Sequence, residues 1–104
     1  MNIQNYINGN FHNPSQDNWL DNYNPSNGEV YSQIPNSTIE DVENAYIAAK
    51  SAFPSWSQTT LDERSRIMIR ISELIEANLD RLAEAESKDN GKPIWLAKAV
   101  DIPR

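Results

Sequence analysis

The sequence has no cysteine, a single histidine and only three glycines among its 104 residues. Without cysteine, these residues form no disulfide, no thiolate metal site and no thiol nucleophile. His12 alone cannot make a multi-histidine metal site or a histidine-based triad, and we expect it to be an ordinary loop residue. Gly9, Gly28 and Gly91 are too far apart to form the phosphate loop of a dinucleotide-binding motif.

Long basic runs and long apolar runs are also missing. The formal net charge is -6 with a sequence pI near 4.6, and the nine lysines and arginines form no single long basic run. A chain of this charge repels phosphate backbones and anionic membrane surfaces, so we expect no nucleic-acid partner. No segment approaches the roughly twenty apolar residues that a membrane span requires. We therefore expect no membrane partner and a cytoplasmic location.

The apolar residues lie in stripes rather than in a large core. They amount to 38% of the chain, whose mean hydropathy is -0.69, and a domain of this size buries less of its surface than a larger one. The last apolar segment contains Ile94, Trp95 and Val100, and no further element follows to cover it before Arg104. We therefore expect a chain of marginal stability that is a piece of a longer protein.

Each glycine follows an asparagine, and Asn-Gly favours a turn because both residues tolerate positive φ. Asn8-Gly9 predicts a β-hairpin between residues 3–7 and 10–11, which would bring Tyr6 close to Phe11. A second turn is predicted at residues 24–28, which read Asn-Pro-Ser-Asn-Gly. Residues 29–34 alternate in polarity and predict a further strand.

Three helical segments follow the strands. Ser37 and Glu40 have capping-box spacing, which predicts a helix that ends at about Phe53, before Pro54. A second helix is predicted from Thr60 to about residue 88, with Asn90-Gly91 as its carboxyl-terminal cap. Residues 94–102 predict a third, partly helical segment. We expect the three tryptophans to anchor packing rather than to stack on a ligand: Trp19, Trp56 and Trp95.

Five short motifs occur in order along the chain: Tyr6-Ile7-Asn8-Gly9, Asn24-Pro25-Ser26-Asn27-Gly28-Glu29, Ala52-Phe53-Pro54-Ser55-Trp56, Asp62-Glu63-Arg64 and Glu86-Ser87-Lys88-Asp89-Asn90-Gly91-Lys92. Together they resemble the amino-terminal part of the aldehyde dehydrogenase family, and the resemblance extends to Arg104. Three shorter segments resemble, more closely, the branch that oxidises 2-aminomuconate and 2-hydroxymuconate semialdehydes: Pro35-Asn36-Ser37, Glu86-Ser87-Lys88-Asp89 and Asp101-Ile102-Pro103-Arg104.

The resemblance implies an α/β fold in which residues 1–104 are the amino-terminal part of the NAD(P)-binding domain, with a β-hairpin, a further strand and then helices. The catalytic domain is absent from this chain. For the parent protein, the resemblance implies oxidation of an aldehyde, such as a muconic semialdehyde, to a carboxylic acid with NAD or NADP. It also implies two partners for this segment, the remainder of the subunit and other copies in a homo-oligomer.

The family's catalytic cysteine and glutamate and its main cofactor contacts lie beyond the segment that resembles this chain. We therefore assign no catalytic residue and no cofactor-binding residue here. We expect the fragment alone to be inactive and to bind NAD or NADP poorly.

The resemblance implies two sites that begin in this chain. Asn22, Tyr23 and Asp89 correspond to positions where the family holds a structural monovalent cation, and a hard cation prefers such oxygen ligands. Arg104 corresponds to the arginine that faces the substrate carboxylate in the muconic semialdehyde branch, where a guanidinium fork can donate two hydrogen bonds. From the residues alone, Asp89 is a helix-end polar residue, Asn22 is a turn former and Arg104 is solvated.

The alternative hypothesis is a noncatalytic helical protein-interaction module. Apolar stripes without an evident covering element and the missing nucleophile favour it. An open reading frame that continues into a cysteine nucleophile and a glutamate base would favour the enzyme instead.

Overall fold

The structure is a computed structural model and describes residues 2–103. In this part of the chain, strands precede helices, as the sequence predicted. The strands are Asn5–Ile7 (β1), Asn10–His12 (β2), Trp19–Tyr23 (β3) and Val30–Pro35 (β4). The helices are Ile39–Trp56 (α1), Leu61–Ala77 (α2), Leu79–Asn90 (α3) and Ile94–Leu96 (α4), and a π-helical turn follows at Ala97–Asp101.

These elements belong to two compact units. The first unit comprises the residues up to Asn22 together with Val30–Gln58, so it contains the β1–β2 hairpin, β4 and α1. The second unit comprises Tyr23–Glu29 together with the residues from Thr59 onward, so it contains α2, α3, α4 and the π-helical turn.

The hairpin of the first unit is confirmed. Strands β1 and β2 are antiparallel, and Tyr6 pairs with Phe11. The two ring centroids are 5.1 Å apart, with the planes tilted by 57°, a separation typical of favourable aromatic pairs. Asn8 and Gly9 form the turn with φ of 51° and 79°. His12, predicted to be a loop residue, is the last residue of β2 and is exposed.

A second two-stranded sheet consists of β3 and β4. Strand β4 was predicted, but β3 was not, because Asp21 and Asn22 interrupt the apolar pattern of residues 19–23. Beyond the ends of the two strands, the Asn36 N–H donates to the Asn18 carbonyl at 2.9 Å. The Ile3 N–H donates to the Gln33 carbonyl at 2.8 Å, which ties the amino-terminal segment to β4.

Helix α1 is capped by Thr38 and Asp41, and the prediction of Ser37 and Glu40 was wrong. The Thr38 N–H donates to Asp41 Oδ2 at 2.7 Å, and the Asp41 N–H donates to Thr38 Oγ1 at 3.4 Å. The two pairs have the same spacing, so the capping pattern could not distinguish them. Contacts with residues distant in sequence distinguish the two pairs. The Ser37 hydroxyl accepts a hydrogen bond from Asn5 Nδ2 at 2.9 Å, whereas Asp41 Oδ1 accepts one from the Ser15 N–H at 3.0 Å.

Pro54 lies inside α1, so the predicted end at Phe53 was also wrong. Proline lacks an N–H and removes one helical hydrogen bond, which usually ends or kinks a helix. Here the Ser57 N–H donates to the Phe53 carbonyl at 2.8 Å. The helical turn around the proline is therefore completed by the residues that follow it.

The single helix predicted from Thr60 to about residue 88 is two helices. Thr60 caps α2 as predicted, since its Oγ1 accepts a hydrogen bond from the Glu63 N–H at 3.2 Å. The chain then leaves helical geometry at Asn78, whose φ and ψ are -116° and 18°. The Asn78 side chain donates to the Leu74 carbonyl at 2.8 Å, and this competition with the backbone favours a break. The apolar stripe continues through residue 78, so the periodicity gave no sign of it.

Few apolar side chains are buried. Within residues 2–103, Ala83 and Ala97 are the fully buried hydrophobic residues, one on α3 and one on the π-helical turn. Trp56 is 48% exposed and Trp95 is 69% exposed. Within residues 2–103 these two side chains are therefore not enclosed in a core, and their role as packing anchors stays a prediction. Trp19 is half-buried and donates from Nε1 to Asp17 Oδ1 at 2.8 Å.

Candidate functional site at the end of helix α3

Residues 86–92 form the carboxyl terminus of α3 in the second unit. Gly91 has φ of 77° and ψ of 5°, and its N–H donates to the Ser87 carbonyl at 2.9 Å. Glycine suits this left-handed position because it has no Cβ. Asn90 Oδ1 accepts from the Lys92 N–H at 2.8 Å, and Asn90 Nδ2 donates to Glu86 Oε1 at 2.7 Å. The predicted cap is confirmed, and its hydrogen bonds set the direction of the chain after α3.

The Asn-Pro turn of the same unit lies against this helix end. A Cβ placed on Gly91 would be 3.1 Å from Pro25 Cγ and 3.7 Å from Pro25 Cβ. The turn itself is closed by two hydrogen bonds, from the Asn24 N–H to the Glu29 carbonyl at 2.9 Å and from the Gly28 N–H to the Asn24 carbonyl at 2.8 Å. The predicted turn is confirmed, and it gives residue 91 a second reason to be glycine.

An ion pair holds the segment that leads to Arg104. Lys92 Nζ lies 2.7 Å from Asp101 Oδ2, and the two side chains are 31% and 26% exposed. Partial burial reduces the screening of such a pair by salt. The Ile102 N–H donates to the Ala97 carbonyl at 3.0 Å, which is the hydrogen bond of a π-helical turn. Asp101 therefore has a defined position three residues before Arg104, which itself lies outside the described residues.

The residues predicted for a cation belong to both units. Asn22 lies in β3, not in a turn, and its Nδ2 donates to the Tyr31 hydroxyl at 2.9 Å and to Ser32 Oγ at 3.2 Å. Tyr23 and Asp89 belong to the second unit, and both are exposed. Tyr23 immediately precedes the turn that contacts Gly91. Asp89 lies in the last turn of α3, two residues before Gly91. The cation site itself stays a prediction.

Sequence reasoning missed the role of Asp41, a buried carboxylate of the first unit that is 7% exposed. The Thr38 N–H, which donates to Asp41 Oδ2, is the main cause that lowers the pKa of Asp41, and the Ser15 N–H acts in the same direction. Burial opposes both by disfavouring the charged form. The carboxylate joins residue 15 to the start of α1, which is a structural role. The spacing of Thr38 and Asp41 was the signal that could have identified it.

The described residues offer no metal cluster and no cofactor loop. Within residues 2–103, no group of three histidine, aspartate or glutamate side chains is arranged to hold a metal ion. The three glycines occupy separate turns and a helix cap, so they do not fit a nucleotide phosphate group as a glycine-rich loop would. No helix described over this range is long and apolar enough to cross a membrane.

Comparisons with known proteins agree with the ordered motifs. A model of the aldehyde dehydrogenase family matches residues 11–104. The 2-aminomuconic semialdehyde dehydrogenase of Bos taurus is 49% identical over 102 residues, which cover 98% of this chain and 20% of that protein. The structure of PnpE in complex with nicotinamide adenine dinucleotide superimposes with a TM-score of 0.95 at 34% identity, and the match covers 99% of this chain and 21% of that one.

A second solved structure gives the same picture. The NAD+ complex of an aldehyde dehydrogenase from Bacillus cereus superimposes with a TM-score of 0.93 at 35% identity, covering 98% of this chain and 21% of that one. The chain thus spans about a fifth of the length of the relatives it matches. The order of the motifs, the fold and the matched residues together show that this chain belongs to the aldehyde dehydrogenase family.

Proposed function

We propose that residues 1–104 are the amino-terminal segment of the cofactor-binding domain of an enzyme that oxidises a muconic semialdehyde to a carboxylic acid with NAD+. The observation that carries the proposal is the 49% identity, over 98% of this chain, with a protein named 2-aminomuconic semialdehyde dehydrogenase. NAD is favoured over NADP because two solved relatives are complexes with NAD. A cytoplasmic location and a homo-oligomeric state stay predictions.

In this proposal, the catalytic thiol and the nucleotide-binding residues come from the remaining part of the subunit. The 104 residues contain no cysteine and offer no glycine-rich loop. Their part is structural, since α2 exposes a row of large apolar side chains in the second unit: Ile67, Met68, Ile71, Leu74 and Ile75. Complete burial of a fully exposed side chain of this size contributes about 1.5–3 kcal/mol, and these side chains, which are already partly buried, would gain a fraction of that. We propose that the remainder of the subunit buries this face.

The intact mass of the protein from its native source, followed by an assay of NADH formation, tests the proposal. We expect a mass several times the 11.8 kDa of this chain and NADH formation with 2-aminomuconic or 2-hydroxymuconic semialdehyde. The chain of 104 residues, purified alone, should form no NADH and serves as the control. A larger protein that reduces no NAD with any aldehyde would contradict the enzymatic function.

We also propose that Arg104 binds the carboxylate of the semialdehyde substrate. Arginine can pair with a carboxylate through two parallel hydrogen bonds, which orient the substrate as well as attract it. Support comes from the preceding residues, because the ion pair between Lys92 and Asp101 and the π-helical turn restrain the backbone that leads to Arg104. The role is substrate selection rather than catalysis.

The test compares Arg104→Ala with Arg104→Lys in the full-length parent. Loss of a charged hydrogen-bond partner should lower kcat/KM for a carboxylate-bearing semialdehyde by about 10- to 100-fold and leave a simple aldehyde unchanged. Arg104→Lys keeps the charge without the fork and should give an intermediate value. Arg70→Ala is the matched control, since Arg70 is exposed on α2 and pairs with Glu73. Equal losses on both aldehydes would contradict the proposal.

A structural monovalent cation held near Asn22, Tyr23 and Asp89 is a further proposal. The contact of Pro25 with Gly91 supports it, because this contact places the turn after Tyr23 against the helix end that carries Asp89. A carboxylate and backbone carbonyls are suitable ligands for a hard cation. We expect potassium or sodium to raise the Tm of the full-length parent relative to choline, and Asp89→Asn to abolish that difference.

Glu84→Gln is the matched control for the cation test, since Glu84 is an exposed carboxylate on the same helix. It removes one negative charge without touching the proposed ligands, so its Tm should keep the dependence on the cation. The same response in Asp89→Asn and Glu84→Gln would refute the site.

The second candidate function is a noncatalytic helical protein-interaction module. An open apolar groove of about 400 Å³ in the second unit favours it, and its lining includes Met68, Ile71, Ile75, Leu79 and Ile102. The same mass measurement separates the two functions. A native protein of 11.8 kDa would support the module and redirect the search to binding partners.

A further inference from the structure

The three Asn-Gly pairs have the same local sequence but different surroundings. They are Asn8-Gly9, Asn27-Gly28 and Asn90-Gly91, and all six residues are exposed. An Asn-Gly pair can deamidate without an enzyme, because glycine has no side chain to hinder its backbone nitrogen. We propose that Asn8 is a site of spontaneous deamidation in this protein and that Asn27 and Asn90 are protected by the fold.

The reaction needs only water. The Gly9 backbone nitrogen attacks the side-chain carbonyl carbon of Asn8, a C–N bond forms, and the side-chain amide leaves as ammonia. Water then opens the five-membered succinimide at one of its two carbonyls and yields aspartate or isoaspartate. No oxidant or reductant takes part.

Both reacting groups of the Asn8 pair are unrestrained. Within residues 2–103, no hydrogen bond engages the Asn8 side-chain amide or the Gly9 N–H, and the Asn8 carbonyl accepts one from Asn10 Nδ2 at 3.1 Å. A Cβ placed on Gly9 would meet nothing within 4 Å. The flanking strands have only three residues each, and short two-stranded hairpins open readily. The turn can therefore reach the geometry that attack requires.

The pair at Asn27 and Gly28 is held on both sides. Asn27 Oδ1 accepts a hydrogen bond from the Glu29 N–H at 3.1 Å, and Asn27 Nδ2 donates to Glu29 Oε2 at 3.0 Å. The nitrogen that would attack is also engaged, since the Gly28 N–H donates to the Asn24 carbonyl at 2.8 Å.

The pair at Asn90 and Gly91 is held in a similar way. Asn90 bonds to the Lys92 N–H and to Glu86 through its side chain, at 2.8 and 2.7 Å. The Gly91 N–H donates to the Ser87 carbonyl at 2.9 Å. These bonds must break before the nitrogen can attack, so reaction at both protected pairs is slower than at Asn8.

Deamidation of Asn8 would change both the charge and the shape of the hairpin. The new carboxylate makes the formal net charge of this chain, which is -6, more negative by one unit. Isoaspartate also adds a carbon atom to the backbone of a two-residue turn, whose length sets the strand register. The pairing of Tyr6 with Phe11 would then be lost in the isoaspartate form.

Peptide mapping by mass spectrometry tests the proposal on the folded full-length protein, incubated in a mildly alkaline buffer made with heavy-oxygen water. We expect the label at residue 8 to accumulate about tenfold faster than at residues 27 and 90, roughly the factor that one or two hydrogen bonds supply. Asn8→Gln should abolish the acidic isoform of this peptide, because glutamine cannot close the five-membered ring readily. Equal rates at the three sites, or a faster reaction at residue 27 or 90, would overturn the proposal.

The denatured protein provides the internal control. Asn8, Asn27 and Asn90 are each followed by glycine, so in denaturant their three deamidation rates should converge to within a small factor. An excess at residue 8 that persists in denaturant would also overturn the proposal, because the difference would then come from sequence and not from the folded surroundings.

Discussion

Gly91→Ala should destabilise the protein more than the same change at either other glycine. Gly91, Gly9 and Gly28 have similar φ values of 77°, 79° and 74°, so alanine in this left-handed region costs about 1 kcal/mol at each position. Only at Gly91 does the new methyl group meet a neighbour, Pro25 Cγ at 3.1 Å, which is closer than the optimal separation of about 3.5–4.0 Å between carbon atoms. Overpacking adds about 1 kcal/mol or more. We therefore expect about 2 kcal/mol for Gly91→Ala and about 1 kcal/mol for the two controls.

Urea unfolding followed by circular dichroism measures these differences as shifts of the midpoint at constant slope. A double-mutant cycle with Pro25→Ala isolates the contact, because the truncated residue no longer has the Cγ atom that lies 3.1 Å from the new methyl group. In the Pro25→Ala background, the cost of Gly91→Ala should fall toward that of Gly28→Ala. If Gly91→Ala and Gly28→Ala destabilise the wild-type protein equally, the packing argument fails.

Three further predictions concern the hairpin, the α1 cap and the ion pair. Hydrogen bonds lower the pKa of Asp41, so its stabilising contribution is present above the ordinary aspartate range of about 4 and is lost as the pH falls through the folded pKa. Asp41→Asn should therefore flatten the acid limb of stability against pH in urea titrations, and an unchanged limb would contradict the role of the cap. Tyr6→Ala and Phe11→Ala should show a coupling of about 0.5–1 kcal/mol in a double-mutant cycle, and additive losses would argue against the ring contact. Lys92→Met should cost up to about 1 kcal/mol in thermal unfolding, with no extra loss in an Asp101→Asn background, and a full second loss there would show that the two side chains act separately.

The turns were predictable because their physics is local. Asn8-Gly9 and residues 24–28 adopt the predicted turns, since positive φ is tolerated by few residue types wherever they occur. The cap at Gly91 and the pairing of Tyr6 with Phe11 follow from the same rule. The family could also be recognised from the order of short motifs, which does not depend on packing.

Elements whose extent depends on distant contacts were not predictable. The carboxylate of the α1 cap belongs to Asp41 and not to the predicted Glu40, because Ser15, 26 residues earlier, donates a hydrogen bond to Asp41. The break at Asn78 depends on one side chain that bonds to a backbone carbonyl, inside an apolar stripe that predicted continuity. Strand β3 is likewise defined by its pairing with β4. Its own residues show little alternation of apolar and polar side chains, so the sequence alone did not predict a strand.

For the candidate site, the sequence motifs predicted roles for Asp89 and Arg104, and the sequence contains three Asn-Gly pairs. Only the tertiary structure showed that Pro25 lies against Gly91 and that Lys92 holds Asp101. It also distinguished Asn8 from the other two asparagines. The physical reason is that residue types carry reactivity and backbone preference locally, whereas restraint comes from hydrogen bonds and contacts that only the folded chain brings together.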